Sequence, residues 1–524
     1  MHWRALPAVA LGLLSLLTLG CSCSGFDVPP KDLATDPPPN TPPAVPSGLP
    51  LTGTIDVTLT ADQGAANDAA VTFGLPFPQG ILKSEKNVTL KNAAGANVPV
   101  TTTALARWPA DGSIRSVLVA FKTSLAAGAK EAWKIDYGTP RSGPDAGPIV
   151  PNPDGPIAAT PSAEFYAKSQ VGGIILPVAQ NKRFAQYDID LTNGFAAFDL
   201  GSFGVDCNAS AGRTYYDGPH AQYQRFLRSG DPKHFRIARG EARWFRDHEV
   251  AWFADRQVAI QKCEPAGWTP KRPMDGGTLR MMLSQGMLDD YLVTGDGAAR
   301  EVLVGMGEAY RLNIPALTSG DKIVLEITER NLAWPLMGLT SYYAVDQRNE
   351  VRLAMTDLVN RAIAWQGRGT SGALEHDIVR ADPEECGNGP SGASPFMTSL
   401  VVDGMMDYWL LTSDSARVVP FMIKLATWYE KSAITPDKKG FRYLWNCTTE
   451  PYEDSTDYAE LNILINHVFG ATYMLTRDNH WLEFGDKMAD SGIEAFFAKR
   501  PKQWNQSART FGKYLGYRAL GATP

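Results

Sequence analysis

The sequence predicts a multidomain protein, with a small N-terminal β-barrel followed by a C-terminal all-α (α/α) toroid of about five to six helical hairpins. Residues 51–140 alternate apolar and polar side chains, which is typical of half-buried strands. From about residue 215 the apolar spacing is that of helices, and a helix–turn–helix unit recurs, which predicts stacked hairpins. The recurring corners end at Asp231, Asp296, Asp346, Asp414 and Asp478.

Residues 1–20 have the features of a lipoprotein signal peptide. Arg4 provides a positive charge, and the apolar run after it is too short to span a bilayer comfortably. Gly20 directly precedes Cys21, an arrangement that resembles the cleavage and lipidation site of bacterial lipoproteins; ordinary secretion is the alternative. We therefore expect an exported protein, anchored by lipid at the outer membrane or cell surface, with a periplasmic or secreted location as the alternative.

Two proline-rich segments separate the predicted bodies. Residues 21–50 are expected to form an extended tether between the lipid and the barrel domain of residues 51–140. Within the barrel, RWPADGSIRSVLVAFK (107–122) places a polar turn before a long alternating run, which predicts a β-hairpin. Residues 141–200 are predicted to be a linker followed by extra strands, on the evidence of EFYAK, GGIILPVAQ and YDIDL.

Residues 201–524 form the predicted toroid domain. The first helix of each pair is apolar on most faces and is expected to be buried, whereas the second has a polar face and is expected outside. An open solenoid is the alternative to a closed ring. We favour closure because the segments before the inner helices are long and polar, and such loops commonly build a site at one end of a fold.

The composition narrows the classes of function. A formal net charge of −6 over 524 residues argues against a nucleic-acid binder, which needs a basic face. The 13 Trp and 18 Tyr residues suit a protein that stacks on sugars, and they suit a large core equally well. No cofactor is evident, no cysteine spacing is typical of zinc, and the sequence leaves open a divalent cation such as calcium.

Six cysteines occur, and Cys21 and Cys23 lie in the anchor region. An even number of remaining cysteines in an exported protein predicts disulfides, with three pairings possible. We favour the two pairings that would join neighbouring loops of the repeat scheme. These pairings are Cys207 with Cys263, and Cys386 with Cys447.

The predicted starts of the inner helices converge on one end of a closed toroid, and we call this end the rim. Polar and aromatic residues gather there, although an acidic residue at a helix start can be a simple cap. Residues predicted to be catalytic are Tyr216, Asp217, His220, Glu329, Asp457 and Tyr458. Residues predicted to bind substrate are Tyr215, Asp275, Arg280, Arg330, Trp334 and Glu460.

Other polar residues favour structural interpretations. His376 is expected in a surface loop, and His467 in the core. His234, Arg236 and Arg239 are expected on a solvated face of the first outer helix.

The rim suits two chemistries. Two carboxylates, Asp217 with Glu329, Asp457 or Glu460, could serve a glycoside hydrolase as acid and as base or nucleophile. A β-eliminating lyase needs a base such as Tyr216, His220 or Tyr458, together with an arginine that binds the substrate carboxylate. Candidates for that arginine are Arg280 and Arg330.

Two stretches of the barrel, VTFGLPFPQGIL and VPVTTTALARWPADGSIRSVLVAF, resemble the N-terminal RIFT-type barrel of exo-rhamnogalacturonan lyase-like proteins. The residues that carry the resemblance are Phe73, Gly74, Pro76, Pro78, Gly80, Arg107, Trp108, Asp111, Gly112, Ser113 and Arg115. The resemblance implies a glycan-active enzyme whose activity lies in a C-terminal (α/α) toroid.

The sequence departs from the family pattern at two places: Ala110 is inserted in the turn, and Ser116 replaces an aromatic residue. No catalytic role is transferred, because the toroid cannot be matched residue by residue. Trp108 and Arg115 are expected to pack within the barrel or to dock it on the toroid.

The favoured function is an exported polysaccharide lyase that acts on acidic polysaccharide by β-elimination. Its expected partners are a polysaccharide or oligosaccharide substrate and, through the lipid, a membrane, with no nucleic acid. Alternatives are a glycoside hydrolase, inverting or retaining, and a non-catalytic glycan-binding surface lipoprotein.

Overall fold

The structure, a computed structural model, describes most of the chain. The described residues are 48–195, 214–253, 258–260, 279, 281–318, 323–377, 391–447, 456–496 and 501–520. The predicted signal peptide, lipidation site Cys21 and most of the tether lie outside them. Among the described helices, none combines the length and the apolar composition that crossing a bilayer requires.

The N-terminal body contains two antiparallel sheets around one hydrophobic core. One sheet has the strand order β4-β3-β7-β1-β8 and the other β2-β6-β5. The strands are β1 (Gly53–Thr60), β2 (Ala66–Pro76), β3 (Val88–Lys91), β4 (Asn97–Val98), β5 (Thr101–Arg107), β6 (Ile114–Leu125), β7 (Lys130–Tyr137) and β8 (Ala158–Pro161). Alternation places Ile55, Val57 and Leu59 of β1 in the core, as expected for half-buried strands.

The predicted hairpin at residues 107–122 is present and joins β5 to β6. Asp111 accepts hydrogen bonds from both the main-chain nitrogen and the hydroxyl of Ser113, and Gly112 adopts the left-handed conformation with φ +68°. Trp108 is 1% exposed, and its indole nitrogen donates to the Phe77 oxygen at 2.9 Å. The turn therefore follows a tryptophan that is buried and fixed by a hydrogen bond.

The segment after the barrel differs from the prediction of extra strands. Within its described residues, 141–195, Ala158–Pro161 is the one strand, and it pairs with β1. EFYAK lies in helix α1 (Ala163–Ser169), which Ser162 caps through the Phe165 nitrogen, and YDIDL lies in α2 (Ala185–Phe195). Short aromatic runs are ambiguous between strand and helix, and here capping and packing against the toroid favour the helix.

The described part of the C-terminal body consists mainly of helices and also contains an antiparallel strand pair, β9 (Val250–Trp252) and β10 (Val258–Ile260). The described helices form successive inner and outer pairs. The inner helices are α3 (Gly218–Ser229), α5 (Gln285–Thr294), α7 (Glu329–Tyr343), α9 (Pro395–Thr412), α11 (Asn462–Ile465 with His467–Thr476) and α13 (Pro501–Ala519). The outer helices are α4 (Pro232–His248), α6 (Gly297–Leu317), α8 (Asn349–Gln366), α10 (Ser415–Trp428) and α12 (Asn479–Glu494).

Each inner helix contacts the next one in the ring, and α13 returns to contact α3. The ring is therefore closed, and α2 covers α13 in the position of a sixth outer helix. This arrangement confirms the predicted toroid of five to six hairpins behind a small β-domain. As predicted for the first helix of each pair, α7 and α9 are almost entirely buried.

The recurring aspartates cap the outer helices. Four of them accept a hydrogen bond from a main-chain nitrogen in the first helical turn. The residue before each of these four is left-handed: Gly230, Gly295, Ser413 and Arg477. Asp346 differs, because Arg348 occupies the cap position of α8 and Asp346 accepts from its nitrogen at 3.4 Å.

The barrel packs on the corner end of the toroid, opposite the rim. Ser116 donates to the Leu292 oxygen at 2.6 Å, and the Tyr291 hydroxyl donates to the Leu105 oxygen at 2.9 Å. Trp108 also contacts the hydrophobic cluster of the toroid. The expectation that Trp108 packs or docks the barrel is therefore confirmed.

Two arginines of α4 were expected on a solvated face, and this prediction is wrong. Arg236 donates to both carboxylate oxygens of Asp62 in the barrel, at 2.9 and 2.8 Å. Arg239 is 4% exposed and pairs with Asp154 and Asp290. The polar face of α4 is polar because it contacts the barrel and linker, and sequence periodicity does not distinguish such a face from one in water.

Candidate functional site

Two adjacent tyrosines before α3 have different surroundings. Tyr216 is completely buried, and its ring meets Trp334 edge-on with the ring centroids 6.1 Å apart. Tyr215 remains partly exposed. Both Tyr216 and Asp217 adopt left-handed backbone conformations, with φ of 65° and 58°. This turn buries the second tyrosine and leaves the first at the rim.

Tyr215 is bound by residues from two other inner helices. Arg330 at the start of α7 donates a 2.5 Å hydrogen bond to the Tyr215 phenolic oxygen. On α13, Asn505 donates to the Tyr215 main-chain oxygen at 2.9 Å, and the Lys502 ammonium lies 5.7 Å from the tyrosine ring centroid. A partly exposed phenol therefore lies beside two cationic side chains.

Asp217 is the N-cap of α3. One oxygen accepts from the His220 nitrogen at 3.1 Å, and the other from the Gly286 nitrogen at 3.2 Å. Burial raises the pKa of Asp217. A side chain at position 286 would not fit, because a Cβ atom there would lie 2.7 Å from the carboxylate. The geometry therefore favours the capping interpretation of Asp217.

His220 points to the toroid axis, where Nδ1 lies 2.6 Å from an Asp289 oxygen. Both side chains are 4% exposed. Burial lowers the pKa of His220 and raises the pKa of Asp289, so burial disfavours the charged form of each group. His220 is thus engaged inside the ring.

The pair belongs to a larger charged cluster on the axis. Asp403 accepts from Arg509 at 2.8 Å and is also bound by Lys513. Although burial opposes it, these two cations hold the pKa of Asp403 below its usual range. Gln285 donates to Asp407 at 2.8 Å.

Sequence reasoning missed five residues of this axial cluster: Asp289, Asp403, Asp407, Arg509 and Lys513. A signal was present, since LDDYLV and VVDGMMDYWLL place carboxylates within helices that are otherwise apolar on most faces. A charge inside a buried helix requires a partner, which makes such positions identifiable.

Arg115 of β6 enters the same cluster from the barrel. Its guanidinium lies 4.8 Å from the Trp108 ring centroid and lines a cavity with His220, Asp289 and Lys513. Burial lowers the pKa of Arg115 to about 10, so it remains cationic at neutral pH. The cavity has a volume of about 30 Å³, which fits about two water molecules and no sugar. The axial cluster is therefore a structural polar core.

Glu329, at the start of α7, is fully buried and turns toward α9. One oxygen accepts from the Ser394 nitrogen at 2.7 Å and from the Thr398 hydroxyl at 3.2 Å. Within the described residues its other oxygen has no hydrogen-bond partner. Burial raises the pKa of Glu329. Its bonds cap the neighbouring helix.

His376 was expected in a surface loop, and this prediction is wrong. His376 is 6% exposed, and its Nδ1 lies 3.7 Å from a Glu329 oxygen. The main chain of His376 pairs in both directions with Gly392, and its ring lies against Trp365. The polar loop around it folds back onto the toroid, and local composition could not reveal this contact.

The remaining predicted site residues are dispersed. Trp334 is 2% exposed, between Tyr216 and the Arg509 guanidinium, so it offers no surface for stacking on a sugar. The Tyr458 ring lies 4.9 Å from that of Tyr443, and Glu460 is partly buried in the same 3-10 segment as Tyr458. Residues or side chains outside the description are Asp275, Arg280 and Asp457.

No group of three or more potential metal ligands occurs among the described residues. Of the four cysteines in the favoured pairings, one lies in the described part of the chain. Cys447 is 4% exposed, whereas the other three, Cys207, Cys263 and Cys386, lie outside it.

Comparison with protein families supports the resemblance found in the barrel. Residues 55–133 match the family model of the PcRGLX-like N-terminal RIFT barrel domain. No curated protein matches the chain. The match spans the two motifs that carried the resemblance, and a helical region follows it, as in rhamnogalacturonan lyase-like proteins. The matched domain points to a glycan-degrading enzyme.

Proposed function

We propose that this protein is an exported polysaccharide lyase that cleaves acidic polysaccharide by β-elimination at the rim of the toroid. The observation that carries the proposal is the 2.5 Å hydrogen bond from Arg330 to the phenolic oxygen of the partly exposed Tyr215. A phenol beside a guanidinium combines a proton-transfer group with a cationic group that can bind a carboxylate.

The proposed reaction needs no co-reactant. The Tyr215 oxygen removes the proton α to the uronate carboxylate, and the electron pair of that C–H bond forms the new C=C bond. The C–O glycosidic bond at the β carbon breaks, and the leaving oxygen takes up the proton that Tyr215 removed, which returns Tyr215 to its starting state. Arg330 stabilises the negative charge that develops on the carboxylate in the transition state. The products are an unsaturated uronate end and a free hydroxyl end.

This assignment changes the roles predicted within the rim. Tyr216 and His220 are poor candidates for the base, because both are buried and His220 is paired with Asp289. Tyr215, first predicted to bind substrate, replaces them. Tyr458 remains a second candidate, since it is partly exposed.

A hydrolase is the second candidate, and Glu329 is the observation that favours it. Burial raises the pKa of this carboxyl group, as a general acid requires. Against it, Glu329 is fully buried and bonded to α9, and Asp217 is engaged as a cap. The lyase is therefore preferred.

The test is a panel of acidic and neutral polysaccharides incubated with wild type, Tyr215→Phe and Tyr216→Phe. We follow ultraviolet absorbance of unsaturated uronates and the appearance of reducing ends. The proposal expects absorbance on an acidic polymer, a loss of about 10²–10⁴-fold in Tyr215→Phe and near-normal rates in Tyr216→Phe. Reducing ends without absorbance would establish the hydrolase. Absence of both would favour a glycan-binding protein.

Export and lipid anchoring belong to the same proposal. The supporting features are the apolar run of residues 1–20 and the Gly20–Cys21 junction. Mass spectrometry of the mature N-terminus should find a diacylated Cys21, and Cys21→Ser should release the protein from membranes. A mature N-terminus at another residue, without lipid, would contradict lipid anchoring.

An oxidising compartment would also permit the favoured Cys386–Cys447 disulfide. Two contacts support it: Ala393 pairs with Trp445, and the Asn446 side chain donates to the Ser391 oxygen at 2.6 Å. These contacts place residues 391 and 393, which follow Cys386 closely in the sequence, beside the residues directly before Cys447. Peptide mapping without reductant should recover the linked peptides.

A further inference from the structure

A cleft of about 430 Å³ lies where the barrel meets the first outer helix. The barrel side consists of the end of β1 and the start of β7, where Thr60 pairs with Lys130. The toroid side is the first turn of α4, including Lys233. The volume falls within the roughly 300–1,000 Å³ of small-molecule sites.

The charged side chains of the cleft leave two lysines available. Asp62 is bound by Arg236 through both oxygens, and Asp231 accepts from the Lys233 main-chain nitrogen as the cap of α4. Within the described ranges, neither Lys130 nor Lys233 forms an ion pair, and both are exposed. The lining therefore presents two ammonium groups to an anionic ligand.

A buried hydroxyl supplies an independent observation. Thr60 lines the cleft and is 5% exposed, yet its hydroxyl has no hydrogen-bond partner in the described structure. Buried hydroxyl groups are normally paired, since leaving one unpaired costs stability. A polar ligand in the cleft would satisfy it.

We propose that this cleft is a second saccharide site, separate from the rim, which binds a carboxylate-bearing sugar of an acidic oligosaccharide. The carboxylate lies between Lys130 and Lys233, and a ring hydroxyl bonds to Thr60. The choice of an acidic sugar rests on the proposed function. Holding a polymer at a second point raises its effective concentration at the rim.

Carbodiimide coupling of trigalacturonate tests the site, because the reagent adds no spacer, and amines held against a bound carboxylate should be modified faster than the other exposed lysines. Peptide mapping of the full chain should find the label on Lys130 and Lys233. Excess uncoupled trigalacturonate should suppress the labelling, whereas neutral maltotriose should not. Equal suppression by inorganic phosphate would overturn the saccharide assignment, because it would indicate a general anion site.

Calorimetry then compares wild type with Lys130→Met/Lys233→Met and with the control Lys182→Met, which removes an exposed charge elsewhere. We expect trigalacturonate to bind about tenfold more weakly to the double variant and unchanged to the control. Equal affinity in all three proteins would overturn the site. Thr60→Val should weaken binding without lowering the melting temperature; a lower melting temperature would assign the hydroxyl a structural role instead.

The two proposals fail separately. Labelling of both lysines without cleavage of any polysaccharide would leave the cleft standing and reject the lyase. Cleavage of acidic polymer by a protein whose two lysines are not labelled would reject the cleft alone.

Discussion

The hydroxyl of Ser116 on β6 donates a 2.6 Å hydrogen bond to the main-chain oxygen of Leu292 near the end of α5. Gly74, on the neighbouring strand β2, lies against the same helix end. Part of the family motif thus serves to dock the barrel.

Gly74→Ala should weaken this docking. An added Cβ atom would lie 2.0 Å from the Leu292 oxygen, which is main chain and cannot move aside cheaply. We expect a loss of about 1–3 kcal/mol in unfolding free energy, measured by urea denaturation. The control is Gly297→Ala, where a Cβ atom meets nothing within 4 Å. Equal stability of the two variants would show that the contact is not tight.

Arg115 should be required for stability through its charge. Arg115→Met removes the buried cation that interacts electrostatically with Asp407 and Asp289, and it should lower the melting temperature. Arg115→Lys retains the charge and should lose less. Thermal denaturation compares the stability of wild type, Arg115→Met and Arg115→Lys. A methionine variant as stable as the lysine variant would show that packing on Trp108, and not charge, holds the arginine there.

Glu249, which follows α4, should make stability depend on pH. Burial raises the pKa of Glu249 to about 8, while Thr214 donates to both of its oxygens at 2.9 Å. An acid with a raised pKa in the folded state stabilises the fold below its unfolded pKa, and this contribution is lost as pH rises toward 8. Glu249→Gln should therefore change stability little at pH 4 and increase it at pH 8.

Melting temperatures across this pH range measure the effect. Glu241 is also buried, and its negative charge contributes to the raised pKa of Glu249. Glu241→Gln is the matched comparison: it should reduce the pH dependence, whereas Glu249→Gln should remove most of it. Parallel curves for wild type and Glu249→Gln would contradict a raised pKa.

Arg330 should act on the substrate carboxylate. Arg330→Lys keeps the charge and loses the planar, two-point geometry, so kcat/KM on acidic polysaccharide should fall by at least tenfold. Arg352→Lys, on the exposed face of α8, is the control and should leave the kinetics unchanged. If Arg330→Lys cleaves normally, the arginine only supports Tyr215, and another cation binds the carboxylate.

Local sequence rules were sufficient for the corners of the toroid. Asp231, Asp296, Asp414 and Asp478, at which predicted corners end, cap the helices that follow. The turn between an inner and an outer helix needs a left-handed residue followed by a capping residue. Both lie within a few residues of each other, so the local sequence is enough to predict the turn. Alternation in the barrel is equally local.

The secondary structure of residues 141–200, between the two bodies, could not be predicted from local sequence rules. EFYAK and YDIDL are compatible with either strand or helix, and their contacts with the toroid settled the choice. His376 and Arg239 were misjudged for a related reason, because their burial comes from elements distant in sequence.

The sequence by itself determined the order of the bodies, the repeat of helical hairpins and the family of the barrel, and it named the residues at the starts of the inner helices. The tertiary structure decided which of these residues remain available. Tyr215 stays partly exposed beside Arg330, whereas Tyr216, Asp217 and His220 are engaged in the ring. The reason is physical: hydrogen bonding and burial at the rim depend on helices more than 100 residues apart, and no local pattern encodes their meeting.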